Sequence, residues 1–184
     1  NMELVKSLKS SKVIKFAFIA LIGSIALAIS SKVKIPFYPV PMTMQTLVVV
    51  MIGIAFGWKL GLASVSLYLF EGIIGLPVFS GTPEKGIGFT YFTGPTMGYL
   101  IGFIFATYFA GKITLNNSYL QIALKIILSV VIIYCLGLLW LGYLIGWDKP
   151  LFDLGAKPFL LAETFKVLIL IILAKYFLKF RRFI

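Results

Sequence analysis

The sequence predicts an all-α membrane protein, a bundle of six transmembrane helices with both termini in the cytoplasm. Three observations carry that reading. Of the 184 residues, 60% are hydrophobic and only 12% are charged. A soluble domain of this size does not need so much apolar surface, because its outside must be wetted. The apolar residues also fall into six runs, each near the ~20 residues that cross a hydrocarbon core. Finally, the basic residues lie between those runs and are unevenly divided.

The first run is Val13–Ser30, preceded by a hydrophilic segment, residues 1–12, expected on the cytoplasmic side. Asn1 stands before Met2 and takes no part in the argument. No small-residue cleavage site follows the run, so a removed leader is not expected. The second and third runs, Met42–Trp58 and Leu60–Leu76, are joined so closely at Trp58-Lys59-Leu60 that they predict a tight helical hairpin. Thr93–Ala110 is the fourth, Tyr119–Trp147 the fifth and long enough to tilt, and Pro158–Phe177 the sixth. The whole chain, 1–184, reads as a single transmembrane domain.

Orientation follows from charge. In a six-span arrangement, Lys6, Lys9, Lys12, Lys15, Lys59, Lys112, Lys125, Lys175, Lys179, Arg181 and Arg182 share one side, against Lys32, Lys34, Lys85, Lys149 and Lys157 on the other. The richer side is expected in the cytoplasm. The net charge of +11 therefore reads as topology. It forms no patch with interleaved aromatics, so nucleic acid is not an expected partner.

Small residues recur every four positions at Gly94, Gly98, Gly102, Ala106 and Ala110, a stripe that lets a neighbouring helix approach closely. Packing within one bundle explains it better than a homodimer face. A second stripe, Ala20, Ser24 and Ala28, is compatible with either the bundle interior or a separate membrane partner. Two outer loops look ordered. Ile35–Pro41 holds three prolines that fix φ and stop a helix, and 75–95 is rich in glycine and proline. Both carry aromatics, including Phe37, Tyr38, Phe79 and Phe92, which suit either an interfacial belt or a cap over an apolar ring.

Glu163 and Lys166 are the only charges between Pro158 and Ala174. At 1.5 Å per residue they lie roughly 8 Å and 12 Å in from Pro158, on one helical face. A charge at such depth costs about 2.5–3.5 kcal/mol on insertion scales, and such groups usually pair or line a cavity. A purely structural pair, or a lysine snorkelling to the headgroups, is the plainer alternative. Glu71 is a second acid in an apolar run, for which a structural hydrogen bond is at least as good a role as ligand contact.

Other chemistries are missing. Gly111-Lys112 is followed by Ile113, not by the hydroxyl a phosphate-binding loop needs. No nucleophile elbow or His-Glu-x-x-His is present, and with no histidine and one cysteine a transition-metal site is not expected. An enzyme is therefore not the expected class.

Five segments in order, Pro39-Val-Pro-Met-Thr-Met-Gln-Thr46, Tyr68-Leu-Phe-Glu-Gly72, Gly75-Leu-Pro-Val-Phe79, Gly94-Pro-Thr-Met-Gly-Tyr99 and Pro158-Phe through Glu163-Thr-Phe-Lys166, resemble the BioY family. These are biotin-specific substrate-binding (S) components of energy-coupling factor (ECF) transporters. The resemblance implies a plasma-membrane protein that captures biotin from outside. An ECF coupling protein and two cytoplasmic ATPases would drive release inward. It implies no cofactor beyond biotin as transported ligand, and it makes Ala20, Ser24 and Ala28 candidates for docking the coupling protein. Glu163 and Lys166 are the expected substrate-binding pair, with Gln45 and Thr43 as further polar contacts and Phe37, Tyr38, Phe79 and Phe92 as wall or lid. The family usually carries Asp where this chain has Glu163, one methylene shorter. Biotin suits such a site, since its ureido group, apolar ring and chain, and carboxylate call for a few directed polar groups in apolar walls. An ion-coupled secondary transporter of a small carboxylate or another vitamin, with Glu71 and Glu163 as relays, is the rival reading. It should show inverted repeats, and none is evident in the sequence.

Overall fold

The computed structural model describes residues 2–36 and 38–184, with side chains from Lys12 onward. Helix α1 spans Met2–Lys32 and α2 Gln45–Ile73. Between them Lys34–Ile35 (β1) and Met42–Thr43 (β2) pair antiparallel, Lys34 opposite Thr43, a small hairpin that the proline-rich sequence did not suggest. Next come α3 (Gly88–Phe92), α4 (Met97–Gly111), α5 (Tyr119–Ile145), α6 (Leu151–Gly155), a 3-10 turn at Lys157–Phe159, α7 (Leu160–Phe180) and a final 3-10 turn, Arg181–Phe183.

Six long helical segments result, because α2 is two helices. Gly57 has φ 78° and ψ 169°, a conformation open to glycine but costly for other residues, and the chain reverses there. The Gln45 amide donates to the Tyr68 hydroxyl at 2.7 Å, although 23 residues of straight helix would separate them by roughly 34 Å. The expected hairpin is thus present, turning one residue before Trp58. Helix α4 starts later than expected, at Met97, after the Gly94-Pro95 break, and α5 stops at Ile145 because Gly146 has φ 101°. Ser118 caps α5 reciprocally with Gln121, each side chain accepting from the other's backbone N–H.

By length and composition, Lys12–Lys32, α2 and α5 are each long and apolar enough to cross a membrane. The surface agrees, since Ile14, Phe18 and Ile29 on α1, Leu120 and Val131 on α5, and Leu161, Ile172 and Tyr176 on α7 are all exposed. So many large apolar side chains facing outward need a lipid environment. The opposite face of α7 runs Glu163, Lys166, Leu170, Ala174, Leu178, all buried. Helix α4 is the centre of the bundle, packed on α2 and α5. Its small-residue stripe makes this possible, as a Cβ on Gly102 would come within 2.7 Å of the Ile133 Cα. That stripe is internal packing.

The Ala20–Ser24–Ala28 stripe also turns inward within this chain. Ala20 and Ser24 are buried, Ala28 packs against the core, and the Ser24 hydroxyl donates to Glu71. A half-buried carboxylate in an apolar run gains from a donor, and α1 supplies it from its small-residue face. Glu71 thereby gains the structural bond that its position suggested.

The buried side chains form two clusters. One, around Tyr68, Phe79, Tyr91, Tyr99, Phe103 and Phe159, is rich in aromatics. The other, built from Val50, Ile54, Ile113, Ile122, Ile126 and Leu170, is aliphatic. The first surrounds a cavity.

Candidate substrate-binding site

The cavity lies between α2, α4, α5 and α7, beneath the 40–43 and 79–80 segments. Its walls are rings and aliphatic chains whose polar tips are turned away. The Tyr99 hydroxyl donates to the Gly155 carbonyl at 2.8 Å, and that of Tyr91 accepts from the Gly81 N–H at 2.9 Å. Anchored in this way, Tyr99 and Tyr91 show the cavity mainly ring.

Glu163, from the first turn of α7, is the charged residue of the lining, and it is 5% exposed. Its Oε1 is fully engaged, accepting from Lys166 Nζ at 2.8 Å and Thr46 Oγ1 at 2.8 Å. Among the described residues Oε2 is buried and accepts no well-formed hydrogen bond, with the Tyr134 phenol, itself a donor, beside the carboxyl. A carboxylate oxygen left unpaired away from water is costly, and such an exception calls for an explanation. A donor on a bound ligand supplies one.

Lys166 is buried behind Glu163 and does not line the cavity. Its ammonium donates to the Thr43 carbonyl at 2.6 Å, to Thr46 Oγ1 at 3.0 Å and to Glu163 Oε1. An ammonium has three donors, and all three are used. The pair is thus held by the first turn of α2 and the strand before it, and the lysine positions the acid.

Of the residues singled out in the sequence, Thr43, Gln45, Phe79 and Glu163 line the cavity. Phe92 is buried behind Phe79, with ring centroids 6.1 Å apart, and does not reach the lining. Tyr38 is 87% exposed and borders an adjoining surface hollow with Lys85 and Pro95. Phe37 lies outside the described residues. Thr46, Ser80, Tyr99, Phe103, Tyr134 and Phe159 line the cavity and were not anticipated. Thr46 stands one helical turn from Thr43, and Tyr134 interrupts an apolar run, so each had a weak signal. Ser80 had none.

The fold and this site define a helical membrane protein that encloses a small, mostly apolar ligand with a buried carboxylate. The chain belongs to the BioY family, whose model matches residues 4–183. It is 32% identical over 148 residues to a probable biotin transporter BioY of Pyrococcus horikoshii, covering 80% of this chain and 86% of that one. The biotin transporter BioY of Thermotoga maritima is 30% identical over 149 residues, with the same coverage. In fold, the chain is similar to the crystal structure of an S-component for biotin from an ECF-type ABC transporter. The TM-score is 0.76 at 24% identity, covering 92% of this chain and 93% of that one.

Proposed function

We propose that this chain is the biotin-capturing subunit of an ECF-type uptake transporter. The observation that carries the reading is Glu163 Oε2, a buried acceptor that makes no well-formed hydrogen bond among the described residues, on a side chain that lines a cavity with largely apolar walls. Biotin offers a ureido N–H to that oxygen, as a charge-assisted bond in a dry site. Its thiophane ring and valeryl chain match the rings of Tyr99, Phe103 and Phe159. Lys166, with every donor engaged, holds the Glu163 carboxyl in position and does not touch the ligand. Thr43, Gln45 and Phe79 are further contacts from the lining, Phe92 backs Phe79, and Tyr38 borders the adjoining hollow.

The eleven-to-five division of basic residues supports cytoplasmic termini, which puts the cavity in the outer half of a plasma membrane, open to capture from outside. With no nucleotide-binding motif of its own, the chain would depend on an ECF coupling protein and two cytoplasmic ATPases for release inward. The ion-coupled alternative loses support because Glu71 is engaged by Ser24, away from the cavity. Isothermal titration of the purified protein with biotin, riboflavin and thiamine tests the reading. Binding of biotin alone is expected, and failure to bind biotin at micromolar concentration would overturn it.

A further inference from the structure

Among the described residues, a second buried oxygen without a partner lines the same cavity, the Ser80 hydroxyl. It rides on the loop after α2, and that loop is gripped from outside by the end of α1. The Lys34 ammonium donates to the carbonyl of Ser80 itself at 2.5 Å. Lys32 Nζ brackets the position, donating to the Phe79 carbonyl at 2.7 Å and the Thr82 carbonyl at 2.8 Å. Ser31 Oγ donates to the Val78 carbonyl at 2.6 Å. Four hydrogen bonds from three residues, Ser31 and Lys32 at the end of α1 and Lys34 in β1, thus fix the backbone on both sides of a single cavity hydroxyl. Lysine stems are flexible and surface ion pairs are weak, but ammonium-to-carbonyl bonds are charge-assisted and tolerate little displacement of the acceptor.

We infer that Ser80 is a ligand-contact residue, and that Lys32 and Lys34 are positioning residues that act through it. The inference rests on the biotin reading above and adds to it a second polar contact and the device that holds it. A hydroxyl both donates and accepts, so Ser80 suits either an oxygen or an N–H of the ligand opposite Glu163. Since the three gripping residues lie at the end of α1 and in the strand just after it, any displacement of that helix end reaches the binding cavity through Ser80.

A double-mutant cycle tests this, reading biotin affinity and dissociation rate. Ser80→Ala should weaken binding by about tenfold and Lys34→Met by about fivefold, with faster dissociation, while the combined variant should lose little more than Ser80→Ala alone. Lys34→Arg should recover most of the loss, and Lys32→Met should behave like Lys34→Met. Thermal midpoints without ligand should stay close to wild type. Absence of biotin binding by the wild-type chain overturns the biotin reading. Wild-type binding combined with an unaffected Ser80→Ala variant, or with equal Lys34→Met losses in both backgrounds, overturns this inference alone.

Discussion

The two halves of the bundle are built from different materials. The half that holds the cavity is aromatic and threaded with hydrogen bonds between distant segments, among them Gln45–Tyr68, Thr46–Glu163 and Tyr99–Gly155. The opposite half is aliphatic, and one polar side chain reaches across several of its segments. Arg181 donates from Nε to the Ile54 carbonyl at 2.8 Å, and from its two terminal nitrogens to the carbonyls of Gly53 and Ile113, each at 3.0 Å. It therefore ties the turn at Gly57, the end of α4 and the end of α7 together. Branched aliphatic chains interdigitate without voids, whereas rings anchored by their hydroxyls keep a space open between them. The contrast separates a closed base from a half shaped around absence of protein.

Substitutions can break the two halves apart. The largest effect should come from Glu163→Gln, which keeps the volume but removes the acceptor charge. Biotin affinity should fall about 100-fold by titration calorimetry, in line with loss of a buried charge-assisted bond. Lys166→Ala should match it although Lys166 lies off the lining, because it strands a buried carboxylate. In the closed half the outcome should invert. Arg181→Ala leaves the carbonyls of Gly53, Ile54 and Ile113 without that donor, at a cost of roughly 2–4 kcal/mol. It should lower the thermal midpoint in detergent and leave the biotin dissociation constant of the folded fraction unchanged. A loss of affinity there would show that the halves are not independent.

Smaller effects sharpen the boundary. Thr46→Val removes one donor to Glu163 and one acceptor for Lys166, and should weaken biotin about tenfold. Tyr38→Ala should change affinity by less than about twofold, since exposed residues outside a site contribute little. A large loss at Tyr38 would mean that the adjoining hollow belongs to the binding site.

Much of the fold was legible before the structure. Charge between apolar runs marked a membrane bundle, Trp58-Lys59-Leu60 marked the hairpin, and the glycine stripe of α4 marked close packing. Glu163 and Lys166 stood out because charges are rare in such a run. Thr46, Ser80 and Tyr134 did not, because hydroxyl residues are common in membrane helices and nothing local separates a structural one from a ligand-facing one. The direction of the Ala20–Ser24–Ala28 stripe was likewise undetermined until Glu71 appeared opposite Ser24.

By itself, then, the sequence determined the class of protein, the number of helical segments and the two charges that matter, because hydropathy and helical periodicity are local properties. Only the tertiary structure decided which oxygen is left without a partner. Lys166 and Thr43 lie 123 residues apart, and their bond exhausts the lysine, leaving Glu163 Oε2 to face the cavity. Donor and acceptor bookkeeping closes only when the whole bundle is packed.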